Sequence, residues 1–402
     1  MDKSAYTLNG TDAPWYDGWD LSDNIRAKYR DMSKKSQKIK AESLKNNIEH
    51  HPINTPNLDP NDLMPQCKNN QITALSLFSG GGGIDLGFAR AGFTHAASFE
   101  LLDFAADTLR NNRPMWKIYS GEDGDVTLRS WKEYCGEVDV VHGGPPCQPY
   151  STAGKRRGKE DVRDMVPEFV RAIMKIKPTV FVMENVPGIT SKKFQCHLEK
   201  NFYASIRGDY HIKEFWQNAA SFGVPQIRRR RFFIGFKDKQ LYSEYKVPEP
   251  THIYDYLYNE NSGQERLDDA VFSEEEKLRC LGAREALGLC NIGYDALAPT
   301  LRSGLTGPRH TTSILSSTNA KKEWEKLRIW PNGVQYTRKE ASVFPAKDNH
   351  FRLSVPDCGL LQGFPEDWSF SRPVYKAIGQ IGNSVAPPVA YWIARSIRDI
   401  IQ

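Results

Sequence analysis

The chain has 402 residues, 39% of them hydrophobic and 26% charged, with a formal net charge of +5. That length exceeds one small core and predicts about two domains, while the longest apolar runs fall well short of a membrane span. Seven cysteines (67, 135, 147, 196, 280, 290, 358) are scattered without a CxxC pair, which excludes a zinc or disulfide framework and fits a reduced, intracellular setting in which one thiol can be reactive. Met1-Asp2-Lys3-Ser4 does not open a signal peptide.

Residues 1–70 read as an extension. Trp15, Tyr16 and Trp19 form an aromatic patch, and Ser22 to Asn47 is rich in Lys, Arg, Glu and Ala with only a sparse apolar face, a composition that predicts a helix. Lys and Arg dominate residues 26 to 45, and Arg228 to Arg231 form a second basic block. Such clusters suggest a polyanionic partner, although a charge run is usually a solvated face. The Pro- and Asn-rich stretch from His51 to Pro65 reads as a linker. The extension could clamp a polyanion, cover the sheet or pair with a second chain, and the sequence does not choose.

The next segment, 71–238, alternates strand and helix patterns. Ile72 to Phe78 is a strand-like run, Ser79-Gly80-Gly81-Gly82-Gly83 a glycine loop, and Ile84 to Ala91 a helix ending at Gly92. Strand, glycine loop and helix open a nucleotide-binding unit, because the glycines admit a ligand to the exposed N–H groups of the helix start. The second strand ends on Glu100, about twenty residues further, where an acid can bond ribose hydroxyls. Leu101 to Asn111 reads as a helix, and Gly124-Asp125-Val126 as a turn carrying another acid. Val138 to His142 is a short buried strand, and Gly143-Gly144-Pro145-Pro146-Cys147-Gln148-Pro149-Tyr150-Ser151 stops it and sets one cysteine at its carboxyl end. Alone, that stretch is either a Pro-rich turn with an incidental thiol or a site. Met165 to Ile176 is an apolar-periodic helix capped from Asp161–Asp164, and Pro178 to Met183 is a strand with Glu184-Asn185-Val186 at its end. Tyr210–Ala219 and Arg231–Phe236 add two strands. This rhythm predicts a mainly parallel sheet with helices on both faces.

After residue 238 the rhythm breaks. Residues 239–350 are Tyr-rich, polar and irregular, with one charged helical stretch at Ser273–Leu287 and loops around Thr300-Leu301-Arg302, which together read as a second, smaller domain. From 351 to 402 the chain is motif-dense again, with Gln380-Ile-Gly-Asn383-Ser-Val and an amphipathic final helix, Pro388–Ile401, expected to return to the first domain.

In order across residues 72 to 402, these pieces resemble the DNA (cytosine-5)-methyltransferase family. Ser76-Leu-Phe-Ser-Gly-Gly-Gly-Gly resembles its first motif, Gly144-Pro-Pro-Cys-Gln-Pro its nucleophile loop and Glu184-Asn-Val its acid motif. Gln226-Ile-Arg228-Arg-Arg230 resembles its glutamine–arginine–arginine pattern and Gln380-Ile-Gly-Asn383-Ser-Val its last motif. Five such matches in collinear order are a specific signal. The resemblance implies an α/β fold, a Rossmann-like S-adenosylmethionine-dependent sheet with a smaller, irregular target-recognition domain. It implies S-adenosylmethionine as cofactor without a metal. Phe78 would stack near its adenine, with Gly80, Gly82 and Gly83 near the methionine part. Glu100 would hold the ribose, Asp125 and Val126 the adenine edge. Pro146 would line the base side and Asn383 would reach the cofactor. Ser76 departs from the aspartate of many members, which puts one polar contact in doubt, and Tyr150 replaces a common Phe.

The chemistry explains the residue types. Cytosine C5 is a poor nucleophile until a thiolate adds at C6, and Cys147 is the cysteine in a motif that could present one. Density then moves toward N3, so Glu184 must carry or share a proton there, and burial should raise its pKa. Arg230, with Arg228 beside it, would fix the base's O2 and the loop of the acid, while Arg229 and Arg231 could contact phosphates. No side chain is assigned to the later loss of the C5 proton. The partner implied is double-stranded DNA, entered by base flipping, with Gln226, Thr300, Arg302 and Arg309 as candidate DNA contacts, joined by His310 and Lys321. A cytoplasmic, monomeric bacterial enzyme is expected, protecting host DNA in a restriction-modification system; a cognate endonuclease would share the site but need not bind. The rivals are an RNA cytosine-5 methyltransferase, a non-catalytic DNA-binding homologue and a nicotinamide dehydrogenase. The tRNA-specific branch carries a Cys-Phe-Thr tripeptide that is absent here. Intact Cys147, Glu184 and Arg230 oppose the second rival, and the Pro-Cys and Glu-Asn-Val motifs have no place in the third.

Overall fold

The computed structural model of the chain describes residues 23–146, 164–254, 277–303 and 311–402. In chain order the elements are α1 (Asp23–Lys45), β1 (Thr73–Leu77), α2 (Gly83–Arg90), β2 (Thr94–Glu100), α3 (Asp103–Asn112), β3 (Ile118–Ser120), β4 (Val140–Gly143), α4 (Val166–Ile176) and β5 (Val180–Asn185). There follow α5 (Gln195–Leu198), α6 (Ala204–Ile206), β6 (His211–Asn218), β7 (Arg229–Phe236), α7 (Lys239–Glu244), β8 (His252–Ile253) and β9 (Leu278–Arg279). The chain ends through α8 (Ala283–Ala286), α9 (Thr318–Lys326), β10 (Ile329–Gln335), α10 (Arg338–Val343), β11 (Phe351–Ser354), α11 (Val355–Leu361), α12 (Val374–Asn383) and α13 (Pro387–Ile401).

Contacts divide the described residues into two compact units, one of 23–59, 281–303 and 311–383, the other of 60–146, 164–254, 277–280 and 384–402. The sequence boundaries lie at 239 and 351, whereas the contact boundaries follow the second domain's start by some residues and place the chain's return at Ser384.

Among the described residues, the sheet unit has seven strands in the order β3-β2-β1-β4-β5-β7-β6. Strands β1 to β5 pair in parallel, and β7 runs antiparallel to both β5 and β6. The central strands β4 and β5 are buried at every position, as expected where helices cover both faces and a strand must read as a continuous apolar run. On one face α4 packs Phe169, Ile173 and Ile176 into a core with Phe99, Trp131 and Phe181. On the other, α13 lies so close to α2 that a Cβ on Gly87 would stand 2.6 Å from Ala390 Cβ. Glycine is what permits that approach.

The sheet order reverses between β1 and β4, which makes the crevice outside their carboxyl ends the expected ligand position in an open α/β sheet. The register puts four strand ends there together: Leu77 opposite Phe99 and Gly143, and Gly143 opposite Met183. Because β7 is antiparallel, its beginning reaches the same edge, with Arg231 opposite Asn185.

In the other unit β10 and β11 form a parallel pair. Two sequence expectations are corrected here. The helix expected over Ser273–Leu287 is, among the described residues, only α8, because Leu278–Arg279 pairs in parallel with His252–Ile253 and Asp295 Oδ1 and Oδ2 accept the N–H groups of Arg284 and Glu285 at a new helix start. The stretch read as a linker is fastened: buried Asn54 donates to Leu287 O at 3.0 Å and to Asp357 Oδ1 at 3.1 Å. Among the described residues, no helix is long and apolar enough to cross a membrane.

Candidate active site

Glu184 is the next-to-last residue of β5, and only 7% of its surface is exposed. Arg230 Nε approaches its Oε1 at 2.9 Å, a contact made possible because the start of β7 lies beside the end of β5. Burial pushes the Glu184 carboxyl up, while the guanidinium charges of Arg230 and Arg228 pull against it. The expected rise therefore holds in direction. The chain leaving β4 passes directly over this acid: a Cβ on Gly144 would stand 2.8 Å from Glu184 Oε2, and Asn185 Nδ2 donates to Pro145 O at 3.3 Å. Asn185 Oδ1 in turn accepts from Val186 N at 2.9 Å. Pro146 is exposed at the end of this passage. Cys147 follows it in sequence, and with Tyr150, Asp161, Trp15, Tyr16, Trp19, Arg309 and His310 it lies outside the described residues.

The two remaining members of the arginine motif behave differently. Arg228 is 1% exposed; its Nη2 donates to Ser384 O at 2.6 Å and its backbone N–H to Asn218 Oδ1 at 3.0 Å. It therefore ties the C-terminal segment to the sheet edge. Gln226 has no exposed surface. Arg231 instead pairs with Glu214, Nε to Oε1 at 3.4 Å, and Arg229 lies over the Trp216 ring at 5.1 Å.

Beside this cluster, across the switch point, lies the glycine loop. Phe78, Gly80 and Gly82 adopt left-handed backbone (φ 56°, 55° and 83°), a conformation that glycine takes without cost. Gly80 N–H donates to Glu100 Oε2 at 2.7 Å and Leu102 N–H to Oε1 at 2.9 Å. Burial pushes Glu100 up, and these two amides oppose it. The turn that carries Asp125 closes on the same place, since a Cβ on Gly124 would stand 2.3 Å from Glu100 O. Asp125 Oδ1 accepts from Thr127 N at 2.9 Å, and Val126 is buried behind it.

The loop has one open side. A Cβ on Gly80 would meet only Phe78 O at 4.0 Å, whereas one on Gly83 would collide with Val385 O at 2.1 Å. A ligand has room over Gly80, next to an enclosed carboxylate and a half-buried phenyl ring at Phe78. That donor set suits a nucleoside with a hydroxyl-bearing sugar and a charged tail, so the residues fit S-adenosylmethionine.

Sequence reasoning did not single out a buried polar cluster under this loop. Asp85, in the first turn of α2, is 3% exposed and accepts from Ser98 Oγ at 2.7 Å. Ser98 Oγ lies 2.8 Å from His95 Nε2, and Ser79 Oγ donates to Ser76 Oγ at 2.8 Å. Burial lifts Asp85 to about 6, opposed by the hydroxyls of Ser98, Ser76 and Ser79. The signal was present: an acid on the apolar side of a short helix, nine residues after the serine that departs from the family's aspartate. Asp85 thus brings a carboxyl to Ser76 from α2.

In the other unit, the backbone of Arg302 and Ser303 packs on α12, where a Cβ on Gly382 would stand 2.4 Å from Ser303 N. Thr300 and Arg302 are half-buried there, and Asn383 is exposed at the end of α12. Lys321 is exposed and faces Glu325 at 3.6 Å.

Residues 72–399 match the model of the C-5 cytosine-specific DNA methylase family. The chain belongs to that family. It is accordingly a DNA cytosine-5 methyltransferase. It is 33% identical over 336 residues to the type II methyltransferase M.NgoMIV of Neisseria gonorrhoeae, covering 81% of this chain and 97% of that protein. It is 30% identical over 329 residues to the type II methyltransferase M.AplI of Arthrospira platensis, covering 82% and 86%. Among solved structures it is similar to a protein assigned as a DNA modification methyltransferase encoded within an E. coli prophage, with a TM-score of 0.50 and 26% identity over 82% of this chain and 99% of that one. Similarity to S. pombe Dnmt2 (TM-score 0.53, 16% identity, 83% and 100% covered) concerns the fold alone. The family assignment agrees with the resemblance and with the α/β sheet drawn from the motifs.

Proposed function

We propose that this enzyme methylates C5 of one cytosine within a specific duplex DNA sequence, through a covalent adduct between Cys147 and C6 of a flipped-out base. The observation that carries the reading is the buried Glu184–Arg230 pair, 2.9 Å apart, directly under the Gly144–Pro146 passage that leads to Cys147. When bound, S-adenosylmethionine supplies the electrophilic methyl group. The protein's own residues make the ring receptive to it. The Cys147 thiolate adds at C6, and the displaced electron pair moves toward N3. Glu184, whose carboxyl burial pushes up, shares a proton there. Arg230 keeps the acid aimed and is proposed to bond the base's O2. After transfer, loss of the C5 proton to water and departure of the Cys147 thiolate from C6 restore the aromatic ring.

Glu100, Gly80, Gly82, Gly83, Phe78 and the Asp125–Val126 turn are proposed to hold the cofactor, with Asn383 completing it from the last motif. Arg228 acts as a positioning residue through Ser384 O. Thr300, Arg302 and Arg309 are proposed to face DNA, in the segment that selects the target sequence. By similarity to the type II methyltransferases M.NgoMIV and M.AplI, the enzyme is proposed to protect host DNA within a restriction-modification system, in the bacterial cytoplasm and as a monomer.

The test is a duplex in which the target cytosine is 5-fluorocytosine. With S-adenosylmethionine present, wild-type protein should form a denaturation-resistant adduct whose peptide maps to Cys147. Trapping that persists in Cys147→Ser would remove this residue from the mechanism. Methyl transfer to RNA but not to duplex DNA would favour the RNA reading.

A further inference from the structure

Helix α1 carries eight Lys/Arg and three Asp/Glu in its 23 residues. Its net charge thus equals the +5 of the entire chain, and the other residues together sum to zero. The structure also gives this charge a direction. Near its C-terminal end α1 is fastened to its own unit: Ser43 is buried, and Lys40 reaches Glu340 at 3.2 Å and the side chain of Gln335. At about 100° per residue, Arg30, Lys34, Lys38 and Lys45 fall on the opposite side of the helix, and all four are exposed. Half-exposed Met32 and Ile39 lie on the fastened side, outside this stripe.

Among the described residues Arg30, Lys34, Lys35 and Lys45 make no ion pair, and Lys38 has only Glu42 at 3.9 Å. An ordinary solvated helix intersperses both signs at i,i+4; here Arg30, Lys34 and Lys38 repeat one sign at that spacing, which disfavours the helix by about 0.2–0.5 kcal/mol per pair. A polyanion lying along the stripe removes that cost. From Arg30 to Lys45 the stripe runs about 22 Å at 1.5 Å per residue, a length that meets several phosphates of one duplex face.

We propose that α1 is a second DNA contact, a sequence-independent clamp on the phosphate backbone carried by the unit that also holds Thr300 and Arg302. The proposal rests on the reading that the substrate is duplex DNA. Three phosphate contacts contribute about 2.7 to the slope of log affinity against log salt.

The experiment compares the full chain with its Arg30→Gln/Lys34→Gln/Lys38→Gln variant, in which helix propensity is kept. Binding to a target-bearing duplex and to a random duplex of equal length is measured from 50 to 200 mM KCl. Over that fourfold range the wild type should lose about 40-fold more affinity than the variant, and the variant's weakening at low salt should be equal for both duplexes. S-adenosylmethionine affinity and circular dichroism report that the variant is folded. An unchanged salt slope in a variant that still binds DNA overturns the clamp and leaves the proposed function standing. Failure of the wild type to bind duplex DNA at all overturns the proposed function itself. A wild-type dimer that the variant converts to a monomer, with the slope unchanged, assigns the stripe to a second copy of the chain and overturns the clamp.

Discussion

The buried carboxyl of Asp85 should make the enzyme lose stability as pH rises through the weakly acidic range, and Asp85→Asn should abolish that loss. Burial lifts this group from 3.8 to about 6 in the folded protein. Between those values the native state binds a proton that the unfolded chain has released, so stability falls with increasing pH. From pH 4.5 to 7.5 the loss amounts to about 2 kcal/mol, at roughly 1.36 kcal/mol per pH unit over about 1.5 units. Urea unfolding of wild type and variant at steps across that range gives the difference between them, in which groups common to both cancel. The difference should move by about 2 kcal/mol in favour of the Asp85→Asn variant as pH rises. Ser98→Ala removes the hydroxyl that donates at 2.7 Å and should steepen the wild-type dependence further. A difference that is flat with pH would show that Asp85 does not carry a raised pKa, and the picture of a buried acid bracing the glycine loop would fail.

Other expectations follow from the same geometry. Glu184→Gln keeps a hydrogen-bonding group beside Arg230 but cannot give up a proton to N3, so single-turnover methyl transfer should fall by about 10²–10⁴-fold while duplex affinity changes little. In the wild type the same step should weaken as rising pH deprotonates Glu184, whose carboxyl burial pushes above its usual range; a rate that does not fall with rising pH would contradict it. Gly83→Ala drives a methyl into Val385 O, 2.1 Å away, and should cost about 1–3 kcal/mol of stability by denaturant titration. Gly80→Ala meets open space, so it should cost only about 1–2 kcal/mol through its left-handed backbone and show its main effect as a raised KM for S-adenosylmethionine.

The motifs made much of this legible because each is a short, contiguous answer to a local demand. Glycines at 80 and 82 answer a left-handed backbone, Glu100 answers two amides, and the apolar runs at β4 and β5 answer burial on both faces. What escaped the sequence depends on partners far along the chain. The bond from the Arg228 guanidinium to Ser384 O, 156 residues away, has no signal in the local sequence. Asp85 reads like an ordinary first-turn acid until Ser98 and Ser76 are found around it. Asn54 sits in a stretch whose composition says linker, and Leu287 O and Asp357, from α11, show why it is fixed. A charged stretch ending at Leu287 suggested one long helix, but strand pairing of Leu278 and Arg279 with His252 and Ile253 outweighed the local propensity.

The direction of β7 is what turns these separate motifs into one site. Parallel strands all end at one edge, so β4 and β5 can deliver the Gly144–Pro146 passage and Glu184 side by side, about 4.8 Å apart per strand. They cannot by themselves bring a strand beginning there. An antiparallel β7 does, and it places Arg230 against Glu184 at 2.9 Å while Arg228, just before the strand, reaches back to Ser384. Reversing that one strand would send the arginine block to the far edge and leave Glu184 buried without its countercharge, a loss that breaking a buried pair makes worth roughly 3–5 kcal/mol. Arg230→Met tests the dependence: the acid should rise further, stability should fall as pH rises, where Glu184 must ionise with only Arg228 to oppose its burial, and recover toward acid pH. A penalty independent of pH would mean that the pair holds shape rather than charge.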